Sequence, residues 1–415
     1  HGSEIKTPCL NALAAEGVVL DRFYTAPIST PTRAGLMTGR YPNRFGIRTT
    51  VIPPWREDGL DENEETLADM LARNGYSNRA IIGKWHLGHT RKVHYPINRG
   101  FSHFYGHLNG AIDYFDHMRE GELDWHNDWE TCYDKGYSTE LITQEAVRCI
   151  NTYEKEGPFL LYVAYNAPHT PLQAQEKDIE LYCDDFGSLT PKEQKRVTYQ
   201  AMVSCMDRGI GTIVDALKKK GIMDNTFLIF FSDNGPAGVP GSSSGKLRGR
   251  KFDEWDGGVR VPAVFYWKRA ESNYKNLSSQ VTGFVDIVPT LKELVGDKNR
   301  PERAYDGISI LPLLIGSTSC IDRNFYLGCG AVVNKDYKLI RKGRKPGLNL
   351  PQDFLVDYQT DPYEKKNASN GNEQIVRSLY QVALKYDTIT PCLPEIPYGK
   401  GREGFKAPVE WKVTR

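Results

Sequence analysis

Apolar runs mark the chain at Phe159–Ala164, at Phe227–Phe231 and again at Val261–Tyr266. Runs this short, rich in aromatic and β-branched residues, predict buried strands. Between them the period changes. From Pro191 to Lys220, Val197, Met202, Met206, Ile210, Ile213, Val214 and Leu217 recur at helical spacing. Thr66 to Asn74 and Ser138 to Tyr153 read as helices on the same grounds. Strands alternating with helices predict an α/β sheet flanked by helices. Catalytic groups then belong on loops at the carboxyl ends of strands.

Past about residue 318 the texture changes. Phe325–Gly328, Ala331–Val333 and Tyr337–Ile340 predict short antiparallel strands, and Glu373 to Tyr386 a helix. The expectation is a catalytic unit over residues 1–318 and a small α+β unit over 319–415. A Pro- and Gly-rich tail from Pro391 should lie over the surface.

The 415 residues carry 53 Lys+Arg against 52 Asp+Glu, a net charge of +1. This balance argues against an unselective nucleic-acid binder but leaves room for a local cationic pocket. No run approaches the ~18 apolar residues of a membrane span. The chain opens at His1-Gly2-Ser3-Glu4, with no signal peptide in it. Eight scattered cysteines without a CxxC exclude zinc-ribbon and thioredoxin-like readings. They leave one or two disulfides, or buried free thiols. All nine histidines fall within residues 1–169, seven of them between His86 and His126. Such crowding points to the border of an active site, although each one singly reads as structural.

The segment richest in chemistry is Ser29-Thr30-Pro31-Thr32-Arg33, followed by Leu36-Met37-Thr38-Gly39-Arg40. Pro31 suits the first turn of a helix. Ser29 would stand just before that turn, facing free N–H groups that favour anions. Arg33, one turn on, can reach back with a bidentate fork. Local physics leaves two readings open, an oxyanion site holding a nucleophile or an ordinary Ser-capped helix.

The segment resembles the signature of the type I sulfatases, Cys/Ser-x-Pro-x-Arg and then Thr-Gly-Arg. The block Gly75 to Gly88, containing Gly83-Lys84-Trp85-His86, resembles that family's second signature. Ala167-Pro168-His169, Ser232-Asp233-Asn234-Gly235, Leu247-Arg248-Gly249-Arg250-Lys251 and Glu254 to Arg260 match in order. So does a late segment with Asp361-Pro362 and Glu364. The resemblance covers essentially the whole chain and implies an alkaline-phosphatase-like α/β fold.

It also implies a mechanism. Ser29 takes the position that a maturation enzyme converts to formylglycine, a position held by Cys or Ser in the family. Arg33 would hold the aldehyde hydrate, and Lys84 and Lys251 the sulfate oxygens. His86 would assist the elimination step, and His169 would act as general acid to the leaving alcohol. Asp233 and Asn234 would be calcium ligands, as two oxygen donors at a strand end suit a hard cation. The family's partner Asp-Asp pair, on its first strand, has no counterpart here. A chain lacking that strand is the expectation.

Within the family the chain resembles the arylsulfatase B subgroup, through Leu247–Lys251, Trp255–Gly258, Tyr105–Leu108 and Asp113-Tyr114. That implies a sulfated oligosaccharide substrate. Asp113, His117, Trp125 and His126 are the candidates to line its sugar pocket. A phosphodiesterase or phosphonate hydrolase of the same superfamily and an inactive carbohydrate-binding relative remain as alternatives. Because polysaccharide sulfates lie outside the cytoplasm, an exported protein is expected. The Asn-x-Ser triplets at Asn276 and Asn367 add little to that.

Overall fold

The computed structural model describes residues 3–328, 330–343 and 349–413. The amino-terminal part contains α1 (Pro8–Glu16), β1 (Val18–Val19), β2 (Phe23–Tyr24), α2 (Ser29–Thr38), α3 (Leu67–Arg73), β3 (Asn78–Lys84) and β4 (His103–His107). Then come α4 (Ser138–Thr152), β5 (Phe159–Ala164), α5 (Pro191–Lys220), β6 (Leu228–Phe231), α6 (Asp256–Val259) and β7 (Ala263–Tyr266). The carboxyl-terminal unit contains β8 (Phe325–Gly328), β9 (Ala331–Val333), β10 (Tyr337–Ile340), β11 (Phe354–Asp357) and α7 (Glu373–Asp387).

β3 lies between β4 and β5 and is parallel to both. Two short antiparallel strands, His126–Asn127 and Glu130–Thr131, extend the β4 edge. In a second sheet β7 lies between β1 and β6, antiparallel to each. The expected strands at 227–231 and 261–266 therefore start slightly later, at Leu228 and Ala263. Val261 and Pro262 are used elsewhere: Val261 N–H donates to the Phe23 carbonyl at 3.1 Å.

Among the described residues β5 pairs with β3 alone and β6 with β7 alone. Their alternating side chains nonetheless join the same two core clusters. Leu160, Tyr162, Ile229 and Phe231 pack on one, and Phe159, Leu161, Leu228 and Phe230 on the other. These side chains are half-buried, not sealed. The expectation of fully buried strands fails here because each has a described neighbour on one edge only.

The helices form where the pattern places them. Thr66 caps α3 through a reciprocal box with Asp69, and Thr190 caps α5 with Glu193. Pro191 opens α5, and Gly221 ends it at φ 73°. The carboxyl-terminal unit is a four-stranded antiparallel sheet, β8-β9-β10-β11, covered by α7. Its core is shared with the larger unit: Tyr24, Tyr41, Trp255 and Phe284 pack with Phe325, Val332, Leu339 and Leu379. Parts of the tail bond to the amino-terminal part. Trp55 Nε1 donates to the Tyr398 carbonyl at 2.7 Å, and buried Trp411 donates to the Arg119 carbonyl at 2.9 Å.

The seven described cysteines are all free thiols, and Cys149 and Cys205 are buried. Cys329 and the side chain of Asn276 lie outside the described residues. No described helix is long and apolar enough to cross a membrane.

Candidate active site

Four chain segments meet around Ser29 and Arg33. α2 begins at Ser29 itself, because Ile28, extended at φ −148°, takes the capping position. This corrects the expected cap. The Ser29 hydroxyl turns to the loops opposite. It donates to Asn234 Oδ1 at 3.2 Å and accepts from the Lys84 ammonium at 3.3 Å. Pro31 still falls in the first turn, where it removes no needed donor. Gly35 lets α2 approach closely, since a Cβ there would stand 2.1 Å from the Phe284 ring.

Lys84 is the last residue of β3, and Asp233 and Asn234 follow β6. Arg33 ties them together. Its Nε and Nη2 reach Asp233 Oδ2 at 3.0 and 2.9 Å, and its Nη1 reaches the Lys84 carbonyl at 2.9 Å. Nη1 also donates to the Tyr162 hydroxyl at 3.2 Å. The Lys84 ammonium lies 4.0 Å from the same Asp233 oxygen. Burial alone would raise the Asp233 pKa, but Arg33, Lys84 and Lys251 together hold its carboxyl well below the usual range. Burial, reinforced by Arg33, pushes the Lys84 ammonium well down. Lys251 is lowered for the same reasons, with Asp233 opposing. The site is short of negative charge, a condition that a bound anion relieves.

His86 follows β3 with φ 62°, an uncommon conformation for a non-glycine residue. Its N–H donates to the Leu108 carbonyl at 3.0 Å, and its buried Nδ1 has no hydrogen-bond partner. Burial and then Lys84 and Arg33 hold its pKa well down, so the ring is neutral. His169 follows β5. Its Nδ1 lies 2.8 Å from the Thr170 carbonyl, which makes Nδ1 the protonated nitrogen and Nε2 the open one. Burial, with Lys84 and Lys251 next, pushes His169 down to about 3.

Asp233 and Asn234 are donors of the kind that calcium prefers, and the fit stops there. Calcium takes roughly six to eight oxygens, and Asp233 Oδ2 is already held by Arg33. Among the described residues Asp233 belongs to no cluster of three or more carboxylate, histidine or cysteine ligands. The cluster of such ligand atoms that does occur is His103, Glu145 and Cys149.

The expected sugar pocket does not form. Trp125 (0% exposed), His117 (1%) and His126 (2%) are sealed inside the protein. His117 stacks on Trp125 with centroids 4.4 Å apart, and His126 bonds to buried Asp124 at 3.1 Å. Asp113 is half-buried, and its carboxylate is committed to Gln173 and to the N–H groups of Phe115 and Asp116. The histidine crowding is therefore mostly scaffold around β4. Two residues escaped the sequence reading. Tyr162 sits inside an apolar run, and a buried hydroxyl there needed a partner. Phe252, next to Lys251, is 61% exposed and has φ 78°. Its N–H is pinned to the Pro27 carbonyl at 2.9 Å. Its backbone conformation leaves no trace in the sequence.

A buried serine beside an ammonium group and a guanidinium–carboxylate pair, at the amino end of a helix, makes a pocket suited to an anion. The sulfatase family profile ("Sulfatase") matches residues 1–297, and the chain belongs to that family. It is 37% identical over 320 residues to arylsulfatase J of Mus musculus, covering 75% of this chain and 52% of that protein. It is 32% identical over 335 residues to N-acetylgalactosamine-6-sulfatase of Mus musculus, covering 75% of this chain and 62% of that one. The chain thus spans 52% to 62% of the length of these two relatives. The solved structure of Ps i-CgsB in complex with k-i-k-neocarrahexaose matches with a TM-score of 0.82 and 29% identity. That match covers 95% of this chain and 91% of the other. The fold is the alkaline-phosphatase-like one.

Proposed function

We propose that this chain carries the catalytic site of a sulfuric ester hydrolase acting on sulfated carbohydrate, with residue 29 in its formylglycine form as nucleophile. The observation that carries the reading is the Ser29 hydroxyl held between Lys84 and Asn234, beside the Arg33–Asp233 pair. Formylglycine at this position supplies a nucleophile that can be regenerated, whereas a plain serine sulfate has no internal route to release. Residue 29 fits that role: it is buried, its side chain is turned to Lys84 and Asn234, and His86, two residues beyond Lys84, has a buried open nitrogen.

The residues around it divide the work. Lys84 and Lys251 neutralise the sulfate oxygens, where preorganised charge gives most of the stabilisation. Arg33 holds Asp233 and the end of β3 in register with residue 29. The open Nδ1 of His86 exchanges a hydrogen bond with the reacting group. His169 gives a proton to the leaving alcohol from Nε2, with Nδ1–H anchored on Thr170. Burial is the first cause of its low pKa and Lys84 and Lys251 the next; a bound sulfate offsets the two lysines and raises it.

The carbohydrate part of the reading rests on the relatives: one is named for N-acetylgalactosamine, and one was solved with k-i-k-neocarrahexaose. Export fits a substrate found outside the cytoplasm. The test is expression of the chain with a formylglycine-generating enzyme. The expected result is loss of dihydrogen from the Ser29 peptide by mass spectrometry, with sulfate release from a sulfated oligosaccharide faster than phosphate diester cleavage. Unmodified serine, or no sulfate release from aryl or sugar sulfates, would overturn it.

A further inference from the structure

Lys251 and the Asp233–Asn234 pair sit on loops, and those loops rest on the one-turn helix α6. A Cβ on Gly257 would lie 2.3 Å from the Gly249 carbonyl oxygen and 2.6 Å from that of Arg248. A Cβ on Gly258 would lie 2.0 Å from the Asp253 carbonyl oxygen and 2.5 Å from that of Arg250. On the other side, a Cβ on Gly235 would lie 2.0 Å from the Gly257 carbonyl oxygen. Backbone bonds close the stack. Gly257 N–H donates to the Arg248 carbonyl at 2.6 Å, and Gly235 N–H to the Gly258 carbonyl at 2.9 Å. Lys251 N–H donates to the Pro236 carbonyl at 2.9 Å. The glycine face of α6 thus sets the height of both loops, with no side chain between as cushion.

What fixes α6 comes from the carboxyl-terminal unit. Lys338 on β10 is fully buried, and its ammonium reaches Asp256 Oδ1 at 2.9 Å and Glu364 Oε1 at 2.7 Å. The Tyr358 hydroxyl donates to the same Asp256 oxygen at 3.0 Å. Glu364 Oε2 accepts the Asp256 N–H, at the first residue of α6, at 2.7 Å. The Glu364 carbonyl accepts Arg248 Nη1 at 2.7 Å, and that guanidinium lies 3.6 Å from the Trp255 ring centroid. Glu364 therefore grips α6 with its side chain and the Lys251 loop with its backbone. It holds φ 58° to do so, the kind of local strain that surrounding contacts must sustain.

We propose that Lys338, Asp256 and Glu364 are positioning residues that set Lys251 and Asp233–Asn234 against residue 29, so that the carboxyl-terminal unit holds half of the sulfate pocket in place. This rests on the reading of Lys251 and Asp233 as pocket residues. None of the three touches the substrate. They act through α6, and a one-ångström displacement there moves both loops together.

The test uses the full chain with Glu364→Gln, and with Arg248→Gln as the milder variant should the first fail to fold. Hydrogen exchange of peptides covering residues 232–237 and 247–253 is read beside binding of inorganic sulfate. Both are measured at a temperature where every variant is folded by circular dichroism. The expected result is about tenfold faster exchange in those two segments, unchanged exchange in α2 and β3, and sulfate binding weakened about tenfold. Uniform acceleration along the chain, or unchanged protection of both segments, would overturn the proposal. Lys84→Ala separates the two readings, since it should weaken sulfate binding and leave exchange at 232–253 unchanged. If the unsubstituted chain binds no sulfate, the proposed function fails while the exchange data still decide the positioning role.

Discussion

Arg33 and Asp233 share a single oxygen: Nε and Nη2 of the guanidinium converge on Oδ2 at 3.0 and 2.9 Å. Four other bonds make sense around this pair. The remaining Arg33 nitrogen holds the Lys84 carbonyl and the Tyr162 hydroxyl, and the Ser29 hydroxyl spans Lys84 and Asn234. Arg33 thereby joins α2, β3, β5 and the loop after β6. Arg33→Ala should abolish sulfate release and cost roughly 1.5–3 kcal/mol in urea unfolding, the scale for losing hydrogen bonds to charged groups, since Asp233 is only partly buried. Arg33→Lys should recover little of either, because one ammonium cannot span three acceptors in a plane. Near-parental stability of the alanine variant would show that the pair does not hold these segments together.

Asp124 does for the β4 loop what Arg33 does for the pocket. Its fully buried carboxylate accepts from the N–H groups of Leu108 and Asn109, from the Asn109 amide at 2.9 Å and from His126 at 3.1 Å. Leu108 in turn accepts the His86 N–H. Asp124→Asn turns an amide donor toward these donors. It should cost about 1–3 kcal/mol in denaturant unfolding and lower kcat more than it raises KM. A variant as stable as the parent would remove Asp124 from this role.

The sequence showed the strands and helices where local pattern decides. The capped α3 and α5 and the run at β5 lie where periodicity puts them. The candidate site residues were legible through their motifs, and the structure brings Ser29, Arg33, Lys84 and Asp233 together in space. The sugar-binding candidates misled for a physical reason. Aromatic and histidine residues look alike in sequence whether they face solvent or stack on each other, and Trp125 and His117 stack inside. β11 was not foreseen either, since Phe354–Asp357 is short and only pairing with β10 makes it a strand. The bond from Lys338 to Asp256 joins residues far apart along the chain, and no local pattern could show it.

Stability should fall steeply on mild acidification. Burial pushes His94 down to about 4 and His107 to about 3. His86, His89 and His117 are also lowered, burial being the main cause in each. The unfolded chain titrates these rings near pH 6.5. Below that value it binds protons that the folded chain refuses, so stability falls as pH drops from about 6.5 toward 4. Each such proton contributes about 1.4 kcal/mol per pH unit. His103 runs the other way, since Glu145 and Asp128 outweigh burial and raise it; its contribution fades only as pH rises. Urea unfolding at a series of pH values should show net proton uptake on unfolding between pH 6 and 5. A flat profile there would contradict the neutral, buried state of these histidines.

His86 offers the sharpest separation of activity from stability. A Cβ added at Gly110 would stand 2.5 Å from both Cε1 and Nε2 of its ring. The ring must then shift from its present position, while its backbone stays bonded to Leu108. Gly110→Ala should therefore reduce kcat by tenfold or more, about 1.4 kcal/mol at the transition state, with a thermal midpoint close to the parent's. Gly157→Ala is the control, because a Cβ there meets nothing nearer than 3.5 Å and should change neither quantity. Parental kcat in Gly110→Ala would mean that the position of the His86 ring is not set by this contact, or that the ring takes no part in the rate-limiting step.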